Sequence, residues 1–200
     1  MKIFLATKNP GKILEFEQIL SPLDVDLVTC RDINIPDVEE TGATFVENAL
    51  LKARSATETT NLPSIADDSG IEVDFLKGRP GVWSARYAGP DASNERNNSK
   101  LLDELQNVPT KDRGACYRCV IVFMRFNNDP FPFIAQDSWR GSICSNEKGL
   151  NGFGYDPIFY LPDKRKTSAE LDPKEKHQIS HRGKALKKFS TFFSNYVQND

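Results

Sequence analysis

Two adjacent carboxylates are the first residues of this sequence whose types could carry chemistry. Asp67 and Asp68 follow the short apolar run "LPSIA" and precede Ser69 and Gly70. Like charges side by side repel each other, and a packed core does not stabilise them. If a strand ends here, both lie at a sheet edge, where α/β proteins usually bind ligands. Such oxygens suit Mg²⁺, and a carboxylate beside a metal can accept a proton from water. A turn or helix cap built from the two aspartates is the alternative.

A second polar group is the segment "TKNPGK", Thr7 to Lys12, between a predicted strand and a predicted helix. Loops in this position present backbone N–H groups to anions, and the helix dipole adds to the attraction. Lys8 and Lys12 add positive charge. The glycine spacing of a Walker A motif is missing, so the segment does not predict a P-loop. The residues alone fit either a phosphate-binding loop or a capped turn with solvated lysines.

The segment "VEETG", residues 38–42, precedes the clearest helix of the sequence. One of its glutamates, Glu39 or Glu40, could bind a hard cation. Both could equally favour the positive end of the helix dipole and bind nothing.

Two later segments could hold a flat base and its phosphates. In "GFGYDP", residues 152–157, two glycines allow the backbone to approach a ligand, and Phe153 could stack on a base. In "KEKHQISHRGKA", the cations Lys176, His181 and Arg182 lie where a loop enters the last helix, and they could bind phosphate or a base edge. A strand-entry turn with a core Phe, and a solvated helix start, are the structural alternatives.

The elements that must position these groups follow from hydrophobic periodicity and turn residues. Together they predict a mixed α/β domain with early βαβ units and a β-rich middle. Strands are predicted over residues 2–6, 23–30, 62–66, 116–126, 131–144 and 156–162, and the segments 71–76 and 82–89 flank a turn. Helices are predicted over residues 12–20, 41–60, 93–108 and 181–197, the second with a capping box of Thr44 and Glu47.

Composition limits the class of protein. The chain has 200 residues and a formal net charge of -2, so no global basic field favours nucleic acid or a membrane surface. The N-terminal apolar run is too short for a signal peptide and no stretch has a membrane-spanning length, which predicts a cytoplasmic protein. "CYRC" has metal-site spacing, but it runs into an apolar strand and lacks a second ligand pair, which favours ordinary buried thiols.

Six motifs, taken together, resemble the inosine/xanthosine triphosphate pyrophosphatase family. They are "TxNxxK", "EETGxTFxENAxLKA", "ADDSG", "PGxxSARYxG", "GFGYDP" and "SHRGxA", in this order and over essentially the whole chain. The resemblance implies one domain over residues 1–200 that hydrolyses non-canonical purine nucleoside triphosphates (ITP, dITP, XTP) to the monophosphate and pyrophosphate. It further implies an elongated mixed central β-sheet flanked by helices, an active-site cleft between two lobes, Mg²⁺ as cofactor and a homodimer.

The resemblance also assigns roles to residues that match the motifs. Asp68 matches the general base and, with Glu40, a metal ligand, while Asp67 supports it. The predicted substrate contacts are Thr7, Lys8, Asn9, Lys12, Lys52, Ser69, Phe153, Gly154, Tyr155, Asp156, Lys176, His181 and Arg182. A Maf-type nucleotide pyrophosphatase is a close alternative. A first loop rich in Ser and Arg would favour it, and "TKNPGK" is not such a loop. A non-enzymatic nucleotide-binding module is another alternative, which metal-dependent pyrophosphate release would exclude.

Overall fold

A seven-stranded mixed sheet organises the chain in the computed structural model, which describes residues 1–199. The strand order is β2-β1-β3-β4-β5-β6-β7, so the predicted mixed α/β architecture is confirmed. The strands are β1 (Lys2–Leu5), β2 (Asp26–Thr29), β3 (Ser64–Val73), β4 (Gly114–Met124), β5 (Phe133–Ile143), β6 (Phe159–Leu161) and β7 (Lys166–Thr167). The helices are α1 (Pro10–Leu20), α2 (Phe45–Thr60), α3 (Asn94–Glu104), α4 (Pro173–Ile179) and α5 (His181–Asn199).

Strand direction changes across the sheet. β1 is parallel to both β2 and β3, as the predicted opening βαβ unit requires, whereas β6 is antiparallel to β5 and to β7. The described residues contain no helix long and apolar enough to cross a membrane.

The chain forms two compact units, each assembled from separate segments. Of the described residues, the first unit contains 1–68, 119–137 and 184–199, and the second contains 69–118 and 138–183. Strands β3, β4 and β5 each contribute residues to both units. One family domain over residues 1–200, with a cleft between two lobes, stays a prediction.

The core of the first unit follows from the alternation of side chains along β1 and β3. Ile3, Leu5 and Ile65 pack in one apolar cluster with residues of α1 and α5. Phe4 points to the other face and packs with Ala56 of α2. Helices α1 and α5 therefore cover one face of these strands and α2 covers the other.

Local sequence signals define the two helices that carry site residues. Helix α1 begins at Pro10, two residues before the prediction, because Asn9 accepts hydrogen bonds from the N–H groups of Gly11 and Lys12 and proline suits the first turn. The predicted capping box of Thr44 and Glu47 at the start of α2 is confirmed.

The largest correction concerns β3. The sequence predicts that a strand ends at Asp67 and Asp68, but β3 is one strand from Ser64 to Val73 that passes through both. β3 is hydrogen-bonded to β4 as well as to β1, and the lysine partners of the two carboxylates, described below, neutralise their charges within the strand.

Two other elements differ from expectation. Most of the segment 82–89 lies in a 3-10 helix, Gly81–Arg86. The Ser84 hydroxyl in this helix accepts a hydrogen bond from the backbone N–H of Ile71 at 2.9 Å. The loop expected before the last helix contains the short helix α4, capped by Asp172 and opened by Pro173.

The second unit has an aromatic and aliphatic core of its own. Tyr117 of β4 packs against Phe159 of β6 with ring centroids 4.6 Å apart, and Trp139 of β5 lies 5.3 Å from the same ring. Ile71 and Leu101 are completely buried in the same cluster. The four cysteines of the chain form no disulfide, and Cys116 and Cys119 are buried, in agreement with the prediction of buried thiols.

The connection between β4 and β5 depends on one carboxylate. Asp129, 5% exposed, accepts hydrogen bonds from the backbone N–H of Arg125 at 3.0 Å, from Arg125 Nε at 2.8 Å and from the backbone N–H of Phe131 at 3.0 Å. The Arg125 side chain lowers the pKa of Asp129 to about 2, against the opposing effect of burial, and the backbone N–H groups add to the lowering. A carboxyl group whose pKa is lower in the folded than in the unfolded protein stabilises the fold at pH values above its unfolded-state pKa. This stabilisation is lost as the pH falls through the pKa of the folded state.

We expect Asp129→Asn to lower the free energy of unfolding by about 2 kcal/mol at pH 7. The deficit shrinks between pH 4 and pH 2, because the wild-type carboxyl then becomes protonated in both states. Urea unfolding of both proteins across this range measures the effect. The exposed Asp91→Asn is the control and should change stability by less than about 0.5 kcal/mol at every pH. A pH-independent deficit for Asp129→Asn would contradict the assignment.

Candidate functional site

Unequal strand lengths create the first part of the site. β1 ends at Leu5, opposite Ile65, whereas the neighbouring β3 continues to Val73. A cavity of about 260 Å³ lies beyond the end of β1. Its lining includes Thr7, Lys8, Lys12, Glu40, Lys52 and Asp67. This cavity therefore lies at the carboxyl end of β1, a position where ligands of α/β proteins commonly bind.

Asp67 points to the face of the sheet that α1 covers. Its side chain is completely buried, and Lys12 Nζ lies 2.7 Å from its Oδ2. Lys12 lies in the first turn of α1, so the helix brings an ammonium group to the aspartate. Asp67 lines the cavity, and its supporting role beside Asp68 stays a prediction.

Asp68 points to the opposite face, toward α2. Lys52 Nζ lies 3.1 Å from its Oδ1 and 2.7 Å from Oε1 of Glu40, so one ammonium group bridges the two carboxylates. The side-chain amide of Asn48 donates to Asp68 Oδ2 at 3.4 Å. Glu39 is exposed whereas Glu40 points to this group, which distinguishes the two glutamates.

Burial and neighbouring charge shift the pKa values of this group. Burial raises the pKa of Asp68; Lys52 opposes that shift, and the charges of Glu40 and Asp67 add to it. Burial lowers the pKa of Lys52, but Asp68, Asp67 and Glu40 together raise it above its ordinary value. A carboxylate with a raised pKa is a better proton acceptor near neutral pH than an exposed one.

The loop "TKNPGK" is held by local hydrogen bonds. Thr7 Oγ1 accepts from the backbone N–H of Asn9 at 3.3 Å, and Asn9 Oδ1 caps α1. Lys8 forms an exposed ion pair with Asp37 at 2.5 Å. Lys8 and Thr7 line the cavity, whereas the side chain of Asn9 faces the helix N–H groups.

The donor set of this group suits a hard divalent cation. Among residues 1–199 no three His, Cys, Asp or Glu side chains lie close enough together to enclose a metal ion. Mg²⁺ commonly uses one or two carboxylates and keeps water or phosphate oxygens as its other ligands. Glu40 and Asp68 share one ammonium group, which already places a positive charge between them. The two residues therefore fit Mg²⁺ by their chemistry.

The second group of predicted residues lies in the second unit and is organised by Asp156. This aspartate is 2% exposed and accepts hydrogen bonds from the backbone N–H of Phe153 at 2.8 Å, from Lys176 Nζ at 2.5 Å and from the Ser168 hydroxyl at 2.9 Å. Asp156 therefore fixes the "GFGYDP" turn and holds Lys176 beside it.

The turn leaves one aromatic ring available. Phe153 is 48% exposed, and Lys176 Nζ lies 5.2 Å from the centre of its ring. Gly152 has φ +80°, and a Cβ there would lie 2.1 Å from Asp156 Oδ2, so this position requires glycine. Gly154 also has a positive φ of 62°. Tyr155 is buried, and its hydroxyl donates to the carbonyl of Ser84 at 2.8 Å, which makes it a core residue.

The start of α5 brings two further predicted residues into the second unit. Arg182 is buried and donates to the Ser69 hydroxyl at 2.9 Å. The His181 ring stacks on Tyr117 with centroids 4.5 Å apart and planes 5° from parallel. Lys176 lies on α4 and not in a loop, because Asp172 and Pro173 begin a helix there.

Sequence reasoning missed three residues that support these groups. Asn48 lies inside the quoted motif "EETGxTFxENAxLKA", and its position one helical turn before Lys52 was a usable signal. Ser168 and Tyr117 carry no such signal, because only the fold brings them to Asp156 and His181.

The buried pair of Lys12 and Asp67 yields a stability prediction. Lys12→Met leaves a buried carboxylate without its ammonium partner, and we expect a loss of about 3–5 kcal/mol in the free energy of unfolding. Denaturant unfolding at pH 7 measures this loss. Lys8→Met removes a lysine that lines the same cavity but whose ion pair is exposed, so it should cost about 0–1 kcal/mol.

A double variant completes this test. Lys12→Met combined with Asp67→Asn removes both charges and should recover a large part of the loss. Equal, small effects of Lys12→Met and Lys8→Met would show that the buried pair is not important for stability.

Comparison with known proteins identifies relatives over almost the whole chain. The profile of the Ham1 family matches residues 3–192. A Yersinia pseudotuberculosis protein named dITP/XTP pyrophosphatase is 54% identical over 186 residues, which cover 93% of this chain and 94% of that protein. A Vibrio cholerae protein of the same name is 52% identical over 94% of each chain.

Solved structures agree with this result. A HAM1 protein from Coxiella burnetii has a TM-score of 0.93 and 46% identity, covering 98% of this chain and 99% of its own. The Staphylococcus aureus Ham1 protein has a TM-score of 0.89 and 43% identity, covering 98% of this chain and all of its own. The family predicted from the six sequence motifs is thereby confirmed. On this similarity of sequence and of fold, the chain belongs to the Ham1 family.

Proposed function

We propose that this protein hydrolyses non-canonical purine nucleoside triphosphates, such as ITP, dITP and XTP, to the monophosphate and pyrophosphate. The observation that carries the proposal is the group of Lys12, Lys52, Asp67, Asp68 and Glu40 at the end of β1. It occurs in a chain that is 54% identical to a relative named dITP/XTP pyrophosphatase. Neither the Maf-type alternative nor a non-enzymatic binding module is favoured by these observations.

The first unit supplies the phosphate-binding residues of this proposal. A triphosphate carries about four negative charges, so its site must provide cations. Lys12 and Lys52 are held at the cavity by buried carboxylates, and Lys8 lies at the same cavity in an exposed pair. Thr7, beside them, adds a hydroxyl group, and Asn9 orders the loop through its helix cap.

Mg²⁺ is part of the proposal, with Glu40 and Asp68 as its protein ligands. When bound, the ion neutralises phosphate charge and acidifies nearby water. Asp68 orients the attacking water and accepts its proton. The attack breaks the anhydride bond between the α and β phosphates and releases pyrophosphate. Lys12 and Lys52 stabilise the charge that develops on the phosphate oxygens.

The second unit supplies the residues that bind the purine base in this proposal. Phe153 offers an exposed ring for stacking, and Lys176, His181, Arg182 and Ser69 supply polar groups. Hypoxanthine and xanthine present a 6-keto acceptor and an N1–H donor, whereas adenine presents the reverse. A donor such as Arg182 or a backbone N–H at O6 leaves adenine unpaired, at about 1–3 kcal/mol for each buried unpaired group.

The proposal extends to the state and location of the protein. A homodimer in the cytoplasm, without nucleic-acid or membrane partners, follows from the family resemblance and from the near-neutral net charge of -2.

Parallel assays with ITP, XTP, ATP and GTP test the proposed reaction directly. We expect rapid pyrophosphate release from ITP and XTP with Mg²⁺, little release from ATP, and no release in EDTA. Guanine shares the 6-keto acceptor and the N1–H donor, so the little release expected from GTP requires that the site exclude its 2-amino group. Separate detection of phosphate and pyrophosphate identifies the bond that breaks. Release of phosphate alone, or equal rates with all four nucleotides, would contradict the proposal.

The assignment of Asp68 as the general base has its own test. Asp68→Asn should lower kcat by a factor of about 10²–10⁴, while nucleotide binding measured by calorimetry changes much less, because the amide cannot accept the proton. Glu72→Gln removes a carboxylate four residues further along the same strand and is the matched control. Turnover of Asp68→Asn near the wild-type rate would exclude Asp68 as the base.

A further inference from the structure

The position of Lys52 has a consequence for how cations enter the site. Its ammonium group lies within hydrogen-bonding distance of Glu40 and of Asp68, at 2.7 Å and 3.1 Å. These are the two carboxylates that fit Mg²⁺. The lysine side chain is mostly buried, so it is held there by more than a transient surface contact.

Asn48 holds both carboxylate segments independently of Lys52. Its Nδ2 donates to Asp68 Oδ2, and its Oδ1 accepts the backbone N–H of Gly42 at 2.8 Å, two residues after Glu40. Asn48 is completely buried, and a Cβ on Gly42 would lie 2.7 Å from its Oδ1. The arrangement of the two carboxylates therefore does not depend on the lysine alone, and it can persist if the lysine leaves.

We propose that Lys52 occupies the position of the divalent cation in the nucleotide-free protein and moves to the phosphate oxygens when metal and nucleotide bind. The identity of the incoming ligand rests on the proposed function. A lysine supplies one positive charge to two carboxylates, whereas the incoming ion supplies two. A metal ion that binds alone displaces the ammonium group from the two carboxylates and offers it no new anionic partner. Metal and triphosphate therefore bind cooperatively, and each binds weakly alone.

Metal binding without nucleotide tests this inference without relying on turnover. Mn²⁺ shares the preference of Mg²⁺ for carboxylate and water ligands, and the free ion is measured by electron paramagnetic resonance. Lys52→Met removes the competing charge, so we expect it to bind Mn²⁺ about tenfold more tightly than the wild type, or better. Arg54→Met removes an exposed positive charge two residues further along the same helix, and its affinity for Mn²⁺ should stay within about a factor of two of the wild type.

A second experiment measures nucleotide binding, for which we expect Lys52→Met to lower the affinity instead of raising it. The affinity of the α,β-imido analogue of ITP, in which an NH group replaces the oxygen between the α and β phosphates, is measured by calorimetry in EDTA. It should bind more weakly to Lys52→Met than to the wild type. Lys52→Gln retains a hydrogen-bond donor without the charge, and it replaces Lys52→Met in both experiments if that variant does not fold. A general disruption of the site would weaken both metal and nucleotide binding. The inference instead expects tighter Mn²⁺ binding together with weaker nucleotide binding.

Failure of the inference and failure of the proposed function are separable. If the wild type releases pyrophosphate from ITP but neither folded Lys52 variant gains affinity for Mn²⁺, the displacement of Lys52 is wrong and the function stands. If the Lys52 variants gain affinity for Mn²⁺ while no nucleotide is hydrolysed, lysine and metal share a position and the proposed reaction is wrong.

Discussion

The pairing of two adjacent buried aspartates with two lysines from different helices is the interaction on which the site depends. Lys12 of α1 neutralises Asp67 on one face of β3, and Lys52 of α2 neutralises Asp68 on the other. Removing charges from water costs free energy that such pairs often fail to recover, so these pairs are a poor way to stabilise a fold. The two pairs nevertheless hold four charged groups in a defined arrangement beside the cavity at the end of β1.

Strand geometry makes this arrangement possible. Neighbouring residues of a strand point to opposite faces, so the two aspartates are separated and each has its own helix. Because β1 stops at Leu5 while β3 continues, the cavity beyond β1 is lined by residues from both faces, Lys12 and Asp67 together with Lys52 and Glu40. The site thus follows from the termination of one strand beside a longer neighbour.

In the second unit a single carboxylate has a comparable organising role. Asp156 bonds to the backbone of the turn at Phe153, to Lys176 of α4 and to Ser168. A buried aspartate with several donors defines the geometry of all of them, because leaving any one of its bonds unmade is costly. These contacts hold the backbone of the turn that carries the exposed ring of Phe153.

The sequence by itself determined the fold class, the family and most of the residue types at the site. The capping box at Thr44 and the continuous apolar runs of β1 and β4 are local signals, and they were sufficient to predict α2 and these two strands. Six motifs in order were sufficient to predict the family. The tertiary structure alone decided that β3 runs through Asp67 and Asp68, that Glu40 and not Glu39 approaches Lys52, and that Tyr155 belongs to the core. These outcomes depend on partners distant in the chain, since the free energy of a buried charge or hydroxyl is set by the groups that the fold brings to it.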